Sequence, residues 1–436
     1  MAIKIPRRMT TALLNSLSAG VVPRIGLEYI AVGRVEEIRA LLLDLDDIAA
    51  GGASFRLIVG RYGSGKSFLL QLLRNHAMDR GFVVADADLS PERRLSGTNR
   101  QGVGTYRELM KNLATKTRPD GGALAAILER WISSIQAQVM QDTGLGLQDQ
   151  AFLQAVENRI MTVVDNMEGL VHGFDFATVL ASYWRGHRLG DDDLKDAALR
   201  WLRGEFATKT DARAALGVRV IVDDDSWYDY VKLMARFVTD IGYQGLIILL
   251  DEMVNLYKIS HSLSRQSNYE KLLTMFNDTM QGKAEHLGII IGGTPQFVED
   301  ARRGLYSYEA LRSRLAESRF LKEGMHNTSG PILRLQTLTH EELFVLLTRL
   351  LEVHSTHFGY EVTLSEQDLG DFLQEAVNRL GAEQLLTPRE VIRDFVTVLN
   401  LLRQNPELTF AQLMKTVDFK PERADEDDDP LVEFVL

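Results

Sequence analysis

FRLIVGRYGSGKSFLLQLLRNHA, residues Phe55–Ala77, decides the fold. Phe55–Val59 is a short β-rich run, and Ser67–Ala77 takes up helical spacing with Phe68, Leu69, Leu70, Leu72 and Leu73. Between them, Gly60-Arg61-Tyr62-Gly63-Ser64-Gly65-Lys66-Ser67 fits G-x-x-x-x-G-K-[ST] at every position. Glycines at Gly60, Gly63 and Gly65 let backbone N–H groups turn inward around phosphates, where the positive end of the following helix also favours an anion. Lys66 is expected to reach the β- and γ-phosphates and Ser67 to ligate Mg²⁺, with Ser64 and Phe68 lining the same loop. A chance Gly-rich turn would carry no reason to sit between a strand and a helix.

A phosphate loop alone does not separate hydrolysis from phosphoryl transfer. Leu246–Leu250 (LIILL) is a fully apolar run that opens directly onto Asp251 and Glu252, which places two carboxylates at the carboxyl end of a buried parallel strand. Asp251 is expected to hold Mg²⁺ through its water shell and Glu252 to orient and polarise the attacking water. That pairing favours ATP hydrolysis. The plain structural alternative is that the acids cap the next helix. Asp86 and Asp88, after the second apolar run Phe82–Ala85, are the acceptor-placing alternative of a small kinase and are read as structural.

Leu287–Ile291 forms another such strand and ends in Gly292-Gly293-Thr294, so Thr294 sits beside the γ-phosphate if this strand neighbours the phosphate-loop strand. Equally, Thr294 is a turn residue capping the helix after Pro295. Arg302, Arg303, Arg312, Arg314 and Arg319 lie in the next segment, where a ring-forming ATPase presents an arginine to its neighbour's γ-phosphate. Arg314 is the first choice and Arg312 the second, against the reading of each as a surface residue. Thr387-Pro388-Arg389 opens a helix from which Arg389 can report the nucleotide state, with Arg393 one turn on as competitor. Tyr29–Arg34 precedes a helix, and Ile30 and Val32 are candidates for the apolar wall of an adenine pocket. His354 and His357 have no third ligand nearby and read as helix-surface residues rather than a metal site.

The chain has 436 residues, of which 45% are hydrophobic and 25% charged, more than a single core usually organises. From about residue 93 to 218 the periodicity is helical, broken near Pro119–Gly122, Gly144–Gly146 and Gly190–Asp193, and reads as a long helical insertion. Residues 1–335 are expected to form the α/β nucleotide core with that insertion, 336–420 a helical lid domain, and 421–436 an acidic tail. The absence of cysteine excludes disulfides, thiolate zinc sites and a thiol nucleophile. No apolar stretch is long enough to span a bilayer and the start does not read as a signal peptide, so no membrane partner and a cytoplasmic location are expected. A net charge of -11 counts against a generally DNA-coating surface, although Arg93, Arg94, Arg100, Arg107, Lys111, Lys116 and Arg118 with Tyr106 could form a local backbone-binding patch or a solvated helix face.

The order of these segments resembles AAA+ P-loop ATPases, with a VGR-type segment before the phosphate loop and a helical lid after the core. More specifically, DADLSPERRL (Asp86–Leu95), LLDEMVNLYKI (Leu249–Ile259), NYEKLLTMFNDTMQG (Asn268–Gly282) and GGTPQFVEDARRGLYSYEALRSRL (Gly292–Leu315) are similar to the ATP-binding protein of bacteriophage-exclusion (BREX) defence systems. The resemblance implies an ATPase working beside other defence components such as a helicase, and leaves its mechanical task open. The leading reading of the residues is a homo-oligomeric, ATP-hydrolysing motor or loader on DNA or a DNA-handling partner, with ATP and Mg²⁺ as cofactors. The rival readings are a slowly hydrolysing nucleotide switch that serves as a scaffold, and a DNA-binding module with incidental hydrolysis.

Overall fold

A computed structural model describes residues 5–146, 149–168, 170–316, 327–361, 364–380 and 387–416. The acidic tail, the last residues of the expected lid domain (417–420) and Arg319 lie outside the described residues. The chain divides into two compact units, one comprising Glu36–Arg61 and Leu72–Arg334, the other Met1–Val35, Tyr62–Gln71 and Leu335–Leu436.

The first unit is built on a parallel five-stranded sheet, β1 (Ala53–Val59), β2 (Val83–Asp88), β3 (Leu246–Asp251), β4 (Leu287–Gly293) and β5 (Ile332–Arg334), in the order β2-β3-β4-β1-β5. This is the α/β P-loop NTPase core. Every residue of β4 is buried, as are the first five of β3, which is why both sequences are continuous apolar runs rather than alternating ones. The chain leaves β1 for the far edge at β2, returns through β3 and β4, and then passes over β1 to β5. The connections that leave the neighbouring strands β1 and β4 thus run in opposite directions across the sheet, and in open α/β sheets the ligand crevice lies outside the carboxyl ends of the strands at such a point.

Between β2 and β3 the described chain is mostly helical, with helices Gln101–Lys111, Leu124–Thr143, Gln150–Glu168, Gly173–Leu189, Asp192–Leu202, Lys209–Leu216 and Trp227–Asp240. Gly144 and Gly190 end two of them in left-handed C-caps, at the breaks legible from sequence. This insertion is continuous with the sheet's own core. Trp131, Trp184, Trp201 and Trp227, the chain's full set of four tryptophans, are buried in one cluster with Leu57, Val83 and Ile248. The insertion also returns to the sheet, where Ala114 makes an isolated antiparallel bridge to Val84.

The other unit is helical, with His340–Phe358, Glu366–Leu380, Pro388–Gln404 and Phe410–Thr416. The N-terminal helix Arg7–Ser18, grouped by sequence with residues up to 335, packs here through Leu13, Leu14 and Leu17 against a core that includes Leu347, Phe372 and Phe395. Sequence periodicity finds the apolar face of such a helix but not its partner more than 300 residues away.

His354 corrects the surface reading given to it. It is fully buried, with Nδ1 2.8 Å from Tyr360 Oη and Nε2 3.2 Å from Asn400 Oδ1, so a neutral ring has both nitrogens satisfied. His357 instead meets Thr10 Oγ1 at 2.7 Å.

Candidate functional site

Strand register assembles one group of candidates at the carboxyl edge of the sheet. β4 lies between β1 and β3, with Val59 paired to Gly293 and Ile291 to Leu250. Gly60 N–H donates to the Gly293 carbonyl at 3.1 Å, and Met253 N–H to that of Gly292 at 3.4 Å. The first residue of the phosphate loop, Thr294 and the Asp251-Glu252 pair thus leave three adjacent strands side by side, with β1 and β3 about 10 Å apart.

Thr294 takes the capping role that was one of its two readings, its Oγ1 accepting the Phe297 N–H at 3.2 Å with Pro295 at the first helical position. A hydroxyl that accepts still has its own proton to donate. That proton has no acceptor among the described residues.

Glu252 has a left-handed backbone, φ 57°, uncommon for a residue with a Cβ and costly by roughly 1–3 kcal/mol unless its surroundings impose it. Asp251 Oδ1 accepts the Glu252 N–H at 2.9 Å. The Glu252 carbonyl accepts from Asn255 N–H at 3.0 Å and from Asn255 Nδ2 at 3.2 Å. Asn255 Nδ2 also donates to the Leu89 carbonyl at 2.9 Å, and Leu89 N–H to the Asp251 carbonyl at 3.0 Å. Asn255 was not singled out from sequence, and its only signal is its place three residues after Glu252. Asp86, by contrast, faces the buried Arg74, whose Nε donates to Oδ1 at 3.1 Å while Nη2 donates to the Pro119 carbonyl, which fits a structural role.

In the helical unit, the remaining loop residues meet the start of Pro388–Gln404. Gly63 and Gly65 have φ of 75° and 96°, the conformation for which glycine is required. A Cβ on Gly63 would stand 2.9 Å from Thr387 Cβ and Oγ1, so the loop lies directly on the cap of that helix. Thr387 and Glu390 form a capping box there. The Arg389 guanidinium lies over the exposed Tyr62 ring, 5.0 Å from its centroid, while Arg393 pairs with Asp394 at 3.7 Å. Arg34, itself at φ 64°, donates from Nη2 to the Ser64 carbonyl at 3.1 Å, a clamp the sequence reading missed. Lys66 and Ser67 begin the helix Lys66–Asp79. Ser64 Oγ is buried with no hydrogen-bond partner among the described residues, and glycine-enabled turns surround it, so this stretch fits a phosphate-bearing ligand.

Ile30 is buried among Leu343, Leu346 and Leu350, and Val32 is half-buried against the same cluster. The Ala31 carbonyl between them accepts from Arg349 Nη1.

The arginines after β4 differ in their freedom. Arg314 donates to Asn277 Oδ1 at 3.0 Å and to the Ala310 carbonyl at 2.8 Å. Arg312 is exposed, and its side chain has no partner among the described residues. Arg303 lies 5.2 Å over the Tyr257 ring. Asp300 accepts the N–H groups of Arg302 and Arg303 at 2.7 and 2.9 Å, which hold its carboxyl below the usual range.

Much of the basic stretch 93–118 is engaged internally. Arg93 and Lys111 both face Glu108, Lys116 pairs with Asp79, and Arg100 and Arg107 donate to the carbonyls of Phe206 and Gly204. Tyr106 is fully buried and hydrogen-bonded to the Leu202 carbonyl, so it offers no face for stacking a base. Among the described residues there is no group of three or more metal-ligating side chains and no helix long and apolar enough to cross a membrane.

A search of curated proteins finds no match to this chain. The model of one family, the BREX system ATP-binding protein BrxC/D, matches residues 5–418, which takes in the sheet, the phosphate loop, the insertion and the C-terminal helices alike. With the parallel sheet, the complete phosphate loop and the match running nearly end to end, the chain belongs to the BrxC/D family of BREX-system ATP-binding proteins.

Proposed function

We propose that this protein hydrolyses ATP, and that turnover drives a motor or loader acting on DNA or on a DNA-handling partner, such as a helicase, within the defence system. The observation that carries the reading is Glu252, held in a left-handed turn at the carboxyl edge of β3, two strands from Gly60. A carboxylate carried at that edge on a constrained backbone suits a base that orients water better than a mere helix cap does.

In this reading Lys66 neutralises the β- and γ-phosphates while the loop N–H groups and Ser64 Oγ bind their oxygens. Ser67 of the phosphate loop and Asp251 after β3 are the residues that would hold Mg²⁺, which would supply further neutralisation of phosphate charge. Glu252 orients the water and accepts its proton. Thr294 donates its remaining hydroxyl proton at the γ-phosphate, and the half-buried Phe68 and Val32 border the nucleoside end, Ile30 being packed into the helical core instead. Arg389 leaves the Tyr62 ring for the γ-phosphate when ATP is bound. In a homo-oligomer, the unengaged Arg312 is better placed than Arg314 to reach a neighbouring copy, because Arg314 would first have to break its bonds to Asn277 and Ala310.

The test is steady-state ATP hydrolysis with and without double- and single-stranded DNA, with Glu252→Gln alongside. DNA-accelerated turnover that Glu252→Gln abolishes is expected. Tight ATP binding with negligible turnover under every condition would replace the motor by a nucleotide switch, and turnover undiminished in Glu252→Gln would remove Glu252 from the chemistry.

A further inference from the structure

We infer that Asn255 is a positioning residue for Glu252, setting the direction of its carboxylate without touching nucleotide. The inference rests on Glu252 being the water-orienting carboxylate. A left-handed Glu persists only where several contacts impose it. Here the N–H side is fixed by the adjacent Asp251 carboxylate and the carbonyl side by Asn255, through both its backbone and side-chain amides. The same Asn255 Nδ2 reaches the Leu89 carbonyl just beyond β2, so one amide group ties the exits of two neighbouring strands together. Only a side chain with two donor hydrogens can serve both carbonyls, and Asp at this position would serve neither. Releasing that amide frees the Glu252 peptide to relax towards ordinary φ, and the carboxylate then points away from the water it must orient. Misplacement of a reacting group by about 1 Å is enough to cost orders of magnitude in rate.

The experiment compares wild type, Asn255→Ala, Asn255→Asp, Glu252→Gln and the double variant Asn255→Ala/Glu252→Gln in the full chain. It measures kcat, the Kd of a fluorescent ATP analogue with Mg²⁺, and the thermal unfolding midpoint. The expected result is a kcat lowered roughly tenfold or more in both Asn255 variants with Kd unchanged. The double variant is expected to be no slower than Glu252→Gln alone, because residues acting through one group are not additive. A kcat equal to wild type in the Asn255 variants, or a loss of nucleotide affinity parallel to the loss of rate, overturns the inference. Should Asn255→Ala fail to fold, the near-isosteric Asn255→Asp decides by the same criteria. Failure of the underlying reading is separately visible, since Glu252→Gln would then turn over like wild type whatever Asn255 does.

Discussion

Arg389 and Tyr62 meet face to cation, the guanidinium carbon 5.0 Å from the centre of an aromatic ring that is 68% exposed on the phosphate loop. An exposed contact of this kind is worth about 0.5–1 kcal/mol. If Arg389 must leave the ring to reach the γ-phosphate, Tyr62→Ala lowers the cost of that departure and tightens binding of a non-hydrolysable ATP analogue by roughly two- to fivefold, with ADP affinity unchanged. Arg389→Ala is expected to weaken the analogue and again to spare ADP. Calorimetric titration of both nucleotides into both variants checks the pair. Equal effects on ATP and ADP would make the contact a loop support rather than a sensor.

The readable parts of this fold are those whose evidence is contiguous in the chain. β1, the glycine loop and the following helix are one unbroken stretch, and β3 announces itself by five apolar residues ending in two acids. The adjacency of Thr294 to the phosphate loop was conditional on strand order, which the β1–β4 pairing supplies. What stayed hidden depends on residues that meet only after folding. Asn255 reaches Leu89 across 166 positions and Arg34 reaches Ser64 across 30. Arg314, first in the sequence ranking, turns out to be held by Asn277, 37 positions earlier in the chain. The basic stretch 93–118 looks free in one dimension because Glu108, Asp79 and the carbonyls of Gly204 and Phe206 are not seen as its partners.

That difference between Arg312 and Arg314 separates two variants. Arg312→Ala is expected to leave the unfolding midpoint and ATP affinity unchanged and to lower hydrolysis by about a thousandfold or more, at protein concentrations where the wild-type rate per chain rises with concentration. Arg314→Ala removes two hydrogen bonds at the surface and is expected to cost on the order of 1 kcal/mol of stability with a near-normal rate. Hydrolysis measured against protein concentration, with melting curves for both, is the check. The opposite pattern would return Arg314 to first place.

His354 makes the helical unit sensitive to acid. Burial chiefly, with repulsion from Arg403 and His357 and against the Asn400 hydrogen bond, pushes its pKa down from 6.5 to about 4. Between those values the unfolded chain binds a proton that the folded one refuses, so stability falls as pH drops from about 6.5 towards 4 and is fully present above that window. The full difference is of the order of 3 kcal/mol. Urea unfolding followed by circular dichroism at about pH 7.5 and pH 5 is expected to show a loss in wild type that His354→Gln largely removes, whatever that variant costs at neutral pH. An identical pH slope in both proteins would mean that the ring is not held neutral by its site.

Two ion pairs near the start of the sheet unit should behave very differently despite similar lengths. Arg56 grips Asp44 with two bonds, Nε to Oδ2 at 2.6 Å and Nη2 to Oδ1 at 2.7 Å, and both side chains are about nine-tenths buried. Its remaining nitrogen, Nη1, donates to the carbonyls of Thr328 and Gly330 just before β5, so the guanidinium moors the edge strand as well. Asp44→Ala leaves that buried cation without its counter-charge and is expected to cost about 3 kcal/mol or more. Arg39 and Glu36 are 2.9 Å apart with side chains 64% and 59% exposed, and Arg39→Ala is expected to change stability by no more than about 0.5 kcal/mol. Unfolding curves for the two variants measured side by side test the contrast, and an Asp44→Ala protein as stable as wild type would show that Arg56 is sufficiently served by the two carbonyls alone.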